Sequence, residues 1–246
     1  MRTVEASERI IVPLDVASAS AACDLVCALK GHVGAFKVGL ELVHVAGFDI
    51  FDVLCAAGAE RIFYDCKLHD IPNTVAGAAR AIAGFGVWMF NVHASGGSRM
   101  VQAARRGISE GIDGRCSAAP LLLGVTLLTS LGAEDLANEL RVDLGPTDYV
   151  ERLAHLATQN GCDGVVCSPH EITAVRERCG DDAVIVTPGV RPAWASANDQ
   201  SRIMTPSEAV RRGADYLVIG RPITGAEDPV EAADAIAREI GAVSTV

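Results

Sequence analysis

The sequence predicts a closed (β/α)8 barrel, and three observations carry that reading. Eight short apolar runs alternate with segments of helical periodicity along the chain. The runs are mostly continuous rather than alternating apolar and polar, as expected of parallel strands buried on both faces. The length of 246 residues suits one such barrel, with no linker or low-complexity stretch to divide it, so residues 1–246 are expected to form a single domain. The rival architecture, an open doubly wound sheet, would favour a GxGxxG turn after the first strand, and none is present.

Each element has its own justification. Arg9 to Val16 forms the first run and contains Asp15. Ala22, Leu25, Val26 and Leu29 then recur at helical spacing before Gly31. Ala35 to Leu40 is the second strand, carrying Lys37, and the stripe Ile50, Val53, Leu54 and Ala57 gives its helix, closed by Gly58. Arg61, Ile62, Phe63 and Tyr64 are bulky, β-favouring residues that lead into Asp65-Cys66-Lys67-Leu68-His69-Asp70. Pro72-Asn73-Thr74 then opens a helix marked by Val75, Ala78, Ala79 and Ile82. Val87 to His93 is the fourth strand, followed by a helix through Met100, Val101 and Ala104.

The rhythm continues in the second half. Leu121 to Leu128 is the fifth strand, with its main helix at Tyr149, Val150, Leu153, Leu156 and Ala157. Gly164 to Ser168 is the sixth, and Ser168-Pro169-His170-Glu171 has the form of a capping box. Ala183 to Thr187 is the seventh, and Thr205-Pro206-Ser207-Glu208 is a second such box. Tyr216 to Gly220 is the eighth, and Asp228-Pro229-Val230-Glu231 opens the last helix. The longest irregular piece, 192–204, follows the seventh strand, where an active-site loop belongs.

Composition narrows the function. A net charge of -10 argues against wholesale nucleic-acid binding, so an anionic ligand must find local positive charge. Lysine is scarce: Lys30, Lys37 and Lys67 are the only three, and two of them stand near predicted strand ends. The eight cysteines show no CxxC and no zinc-ligand spacing, so they read as small buried hydrophobes in a reducing compartment. No apolar run reaches the length of about 18 residues that a membrane span needs, and the N-terminus lacks a signal-like core. A soluble, cytoplasmic protein is expected, with no membrane or nucleic-acid partner.

In such barrels the site is built at the carboxyl ends of the strands, so the polar residues there are read together. They are Asp15, Lys37, Asp65, Lys67, Asp70, His93, Thr129, Arg191 and Arg221. Residues two apart in a strand share a face, which puts Asp65 and Lys67 on one side and Cys66 on the other. Bland readings stand beside the functional one. Asp15 also reads as a helix cap, Lys37 as an edge charge, and Asp65, Lys67 and Asp70 as a structural ion-pair network. His93 reads as a packing residue and is left outside the site. Arg191 in Thr187-Pro188-Gly189-Val190-Arg191-Pro192 and Arg221 in Ile219-Gly220-Arg221-Pro222 follow adjacent strands, where barrel enzymes commonly hold a phosphate. A phosphorylated small molecule is the implied ligand.

DCKLHDIPNT, with LD at Asp15, KVG at Lys37, LTS at Thr129, TPGVRP at Arg191, DQ at Gln200 and IGRP at Arg221, resembles the orotidine 5'-phosphate decarboxylases. The likeness runs from the first strand to the eighth in order. The Asp-x-Lys-x-x-Asp core alone is shared with a related branch of sugar-phosphate decarboxylases and aldolases; HDIPNT, TPGVRP and DQ add specificity. The resemblance implies cofactor-free and metal-free loss of CO2 from orotidine 5'-phosphate to give UMP, with Asp65, Lys67 and Asp70 catalytic. It implies that Asp15 and Lys37 hold the ribose, that Thr129 meets the pyrimidine, and that Arg191, Gln200 and Arg221 grip the phosphate under the 192–204 loop. Pro188 and Gly220 join the substrate-binding set. It further implies a homodimer in which Asp70 and Thr74 complete the neighbouring subunit's site.

Overall fold

A computed structural model describes residues 4–112, 118–195 and 204–242. Eight parallel strands close into a barrel in chain order: β1 (Ile10–Pro13), β2 (Ala35–Val38), β3 (Ile62–Leu68), β4 (Met89–His93), β5 (Leu121–Val125), β6 (Gly164–Val166), β7 (Val184–Pro188) and β8 (Tyr216–Val218), with β8 pairing back onto β1. The connecting helices include α1 (Ala19–Leu29), α2 (Leu40–Ala46), α3 (Ile50–Ala57), α4 (Pro72–Ala83), α5 (Ser98–Gly111), α6 (Ala133–Asn138), α7 (Pro146–Gln159), α8 (Ile172–Cys179), α9 (Pro206–Arg211), α10 (Arg221–Thr224) and α11 (Pro229–Gly241).

The continuous apolar runs have a direct cause: successive side chains in a strand fill two different cores. Ile11, Ala35, Phe63, Met89, Leu123 and Val184 pack inside the barrel. Their neighbours Ile10, Val12, Ile62, Tyr64, Phe90 and Leu122 pack outward against the helices. Fully burying a residue such as Phe63 or Phe90 contributes about 1.5–3 kcal/mol, so both layers must be apolar for the strands to stay in place.

The amino-terminal rim is held by polar pins. Asp163, just before β6, accepts a hydrogen bond from the Leu122 amide of β5 at 2.7 Å and pairs with Arg105 of α5 at 2.5 Å. Asp215, just before β8, repeats the device: it accepts from the Ile185 amide of β7 at 2.8 Å and pairs with Arg176 of α8 at 2.8 Å. Arg176 also donates to the carbonyls of Ala183 and Gly213.

Several local expectations are refined. The segment after β2 is two helices, and within the expected stripe Ile50 and Leu54 are buried whereas Val53 is exposed. The break falls at Gly47, whose φ of +73° suits glycine. Asp15 is not a helix cap: Ser18 takes that role, accepting from the Ala21 amide at 3.2 Å. Ser168 caps a short 3-10 turn, Pro169–Glu171, through the His170 amide, so that stretch is not a capping box. Thr205 accepts from the Glu208 amide as expected, but the Glu208 carboxylate pairs forward with Arg212 instead of reaching back.

Candidate active site

The site is built where β3 breaks regularity. Its register with β4 shifts between Tyr64 and Leu68, and Lys67 lies in the left-handed region with φ +48°. Asp65 and Lys67 nevertheless face the same cavity, while Cys66 is buried in the outer core and donates to the Asn91 carbonyl.

A chain of alternating charges crosses three strand ends. Lys67 Nζ donates to Asp65 Oδ1 at 2.6 Å, Lys37 Nζ lies 3.5 Å from Asp65 Oδ2, and Lys37 Nζ donates to Asp15 Oδ1 at 3.1 Å. Gly39 leaves this group its room, since a Cβ there would sit 3.0 Å from Lys37 Nζ and 3.4 Å from Asp15 Oδ1. Lys37 is thus a buried site residue rather than an edge charge. Burial alone would push the Asp65 carboxyl up. The charges of Lys37 and Lys67, with hydrogen bonds from Lys67 and Asn91, outweigh burial and hold it below the ordinary carboxylate range.

Asp65, Lys37 and Lys67 open onto a cavity of about 220 Å³ that is otherwise walled mainly by Phe63, Val125, Leu127, Leu128, Thr129, Val166, Cys167, Pro188 and Val218. An apolar pocket with a few converging charges is the usual form of a small-molecule site. Three residues beyond Pro188 and Val218, Arg191 and Arg221 line a second cavity of about 300 Å³ together with Trp194 and Pro222. Gly189, with φ +82°, turns the chain after β7, and the Arg191 amide donates to the Met204 carbonyl at 3.1 Å, drawing together the two ends of the 192–204 loop. Gly220 is the residue before α10 and packs close to Pro13.

The sequence-predicted residues therefore divide into groups. Asp15, Lys37, Asp65 and Lys67 form one charge chain, Thr129 and Pro188 line the same cavity, and Arg191 and Arg221 share the adjoining one. Asp70 stands apart within its own chain: it is exposed, and its carboxylate accepts from the Ile71 amide at 2.6 Å. Thr74 is exposed in the first turn of α4. Gln200 lies outside the described residues.

One feature at this end of the barrel was not anticipated. Asn91, fully buried in β4, donates from Nδ2 to Asp65 Oδ1 at 2.7 Å and accepts from the Lys67 amide at 2.7 Å. The one hint in the sequence is a lone carboxamide inside an apolar run. His93, read from the sequence as a packing residue, is half-buried at the end of β4 with its ring tilted against that of His69, 5.3 Å between centroids. Burial first, then His69 and Lys67, hold its imidazole below the ordinary range, which favours the neutral ring.

A family model described as orotidine 5'-phosphate decarboxylase / HUMPS matches residues 8–236. The chain belongs to this family. Among related members, orotidine 5'-phosphate decarboxylase of Moorella thermoacetica is 52% identical over 240 residues, covering 98% of this chain and 95% of the relative. The enzyme of that name from Heliobacterium modesticaldum is 47% identical, covering 96% and 97%. Crystal structures agree on the fold. Orotidine 5'-phosphate decarboxylase from Lactobacillus acidophilus superposes with TM-score 0.83 at 40% identity, over 94% of this chain and 98% of that one. The Pyrococcus horikoshii OT3 structure gives 0.74 at 28% identity, over 94% and 99%. Among the described residues no helix is long and apolar enough to cross a membrane, and no group of three or more His, Cys, Asp or Glu side chains is arranged to hold a metal ion.

Proposed function

We propose that this protein decarboxylates orotidine 5'-phosphate to UMP and CO2 without a cofactor. The observation that carries the reading is the Lys67 ammonium, 2.6 Å from Asp65 on a largely apolar cavity whose neighbour holds two arginines. Loss of CO2 leaves an electron pair at C6 of the pyrimidine with nothing to delocalise it. A fixed positive charge beside that carbon stabilises the developing anion, and Lys67 Nζ then delivers the proton that converts it to UMP. Asp65, kept ionised by its cations, orients Lys67 and sets the field around the leaving carboxylate.

The remaining roles are those the family resemblance implies, and the placement of the described residues supports them. Arg191 and Arg221 hold the phosphate together with Gln200, and Pro188 and Gly220 shape the same end of the site. Asp15 and Lys37 bind the ribose, and Thr129 meets the pyrimidine. Binding at the remote phosphate draws the 192–204 loop closed and is used in the transition state. Asp70 and Thr74 act in the partner's site of a homodimer, supported by three observations. Asp70 lies outside its own charge chain, and Ile71 beside it leaves 67% of its surface exposed. Leu40, Val45, Phe48 and Val53 of the neighbouring α2–α3 segment are also exposed, as an apolar docking face would be. The chain is read as one domain, because all eight strands close on one another, and as cytoplasmic, because the cysteines among the described residues are free.

A spectrophotometric assay with orotidine 5'-phosphate in the presence of EDTA tests the proposal. Turnover to UMP that survives the chelator is expected. No turnover, or turnover abolished by EDTA, would instead favour a metal-dependent member of the sugar-phosphate branch.

A further inference from the structure

We infer that Asn91 is a positioning residue for this chemistry: its carboxamide ties the Asp65 carboxylate to the Lys67 backbone and so aims the Lys67 ammonium. The inference rests on the function proposed above. Asn91 is absent from the cavity wall, so it acts through the residues it holds and not on substrate.

The argument begins with a cost. A fully buried primary amide between Phe90 and Val92 is unfavourable unless its polar atoms are bonded. Both contacts of Asn91 go to the candidate site, at 2.7 Å each. The orientation is also unique. An ionised carboxylate only accepts and a backbone N–H only donates, so Nδ2 must face Asp65 and Oδ1 must face Lys67; a flipped amide would lose both bonds.

The second step concerns the backbone. Lysine does not favour φ +48°, and the β3–β4 ladder loses its register at this point. The Asn91 oxygen takes the Lys67 amide there, satisfying a donor that the shifted ladder does not. Lys67 is then held at both ends, its amide by Asn91 and its ammonium by Asp65, and Asp65 Oδ1 is itself fixed by Asn91. The three residues close a ring of hydrogen bonds, and an error of a few tenths of an ångström at any member is transmitted to Nζ.

Asn91→Leu, similar in size but unable to hydrogen-bond, tests this. With orotidine 5'-phosphate as substrate, kcat is expected to fall ~10- to 100-fold, the scale of a lost bond to a charged group, while KM changes little because both arginines remain. The acid limb of kcat/KM should move to higher pH, since Asp65 loses a donor to its ionised form. Asn91→Asp, which keeps the shape but sets a second carboxylate against Asp65, should move that limb further. A folded Asn91→Leu enzyme with wild-type kcat and an unmoved acid limb overturns the inference, as does a change confined to KM. If Asn91→Leu does not fold, Asn91→Ser is read by the same criteria. A wild-type protein that does not turn over the substrate overturns the proposed function, and this inference falls with it; an active wild type with unaffected variants overturns the inference alone.

Discussion

Replacing Lys67 with alanine separates catalysis from folding more cleanly than any other single change. Lys67 is the only member of the charge chain whose ammonium is bonded to just one carboxylate, at 2.6 Å, and it remains about one-third exposed. Removing it leaves Asp65 with Lys37 at 3.5 Å and Asn91 at 2.7 Å, so the carboxylate is not stranded. The stability loss should therefore stay near 1–2 kcal/mol, roughly one charged hydrogen bond. The catalytic loss should be far larger. One preorganised electrostatic contact is worth about 10²- to 10³-fold and a general acid about 10²- to 10⁴-fold, so kcat should fall by roughly 10⁴ or more when one group does both. The fall in substrate absorbance measures turnover, and urea unfolding followed by circular dichroism measures stability. A well-folded Lys67→Ala protein that turns over within about tenfold of wild type would refute the assignment of proton delivery to this residue.

Three further outcomes are expected. Mixed and reassociated Lys67→Ala and Asp70→Ala subunits should recover about a quarter of wild-type activity, because half the dimers are hybrids and each hybrid has one site with both groups; no recovery from demonstrably mixed dimers would count against sharing. Asp215→Ala should destabilise the protein by about 3–5 kcal/mol in urea unfolding by stranding the largely buried Arg176, and Asp215→Ala with Arg176→Met should recover part of that loss. The lowered Asp65 carboxyl makes its contribution complete above the unfolded-state value, near 3.8, and lost as pH falls through the lower folded value. The stability of wild type relative to Asp65→Asn should therefore fall as the pH is taken down through and below the ordinary carboxylate range, and a pH-independent difference would show that Asp65 is not held ionised.

The sequence exposed what depends on chain order and hid what depends on cross-chain geometry. Parallel strands all end at one face of the barrel, so Asp15, Lys37, Asp65 and Lys67 could be grouped from their places after apolar runs, and the structure brings those four together. The same logic paired Arg191 with Arg221. Asn91 escaped because its partners lie 24 and 26 residues away on another strand, and nothing local distinguishes a bonded buried amide from a tolerated one. The left-handed Lys67 escaped for a related reason: the bulge is created by pairing with β4, not by the residues of β3. Ser168-Pro169-His170-Glu171 misled because a proline-led cap serves a 3-10 turn as well as an α-helix. The expected dimer contacts of Asp70 and Thr74 could not be read from helical or strand periodicity at all.

The pins at Asp163 and Asp215 have a consequence for how such a molecule can change. They secure neighbouring strands where the chain enters the barrel, at the end opposite the charge chain. Mechanical integrity is thereby delegated to one rim and reactivity to the other. Loops after the strands can be lengthened, recharged or exchanged while the entrances stay fastened, which makes this scaffold a tolerant host for altered substrate preference. Selection for heat resistance could act on the entrances with equal freedom, leaving the reacting geometry untouched.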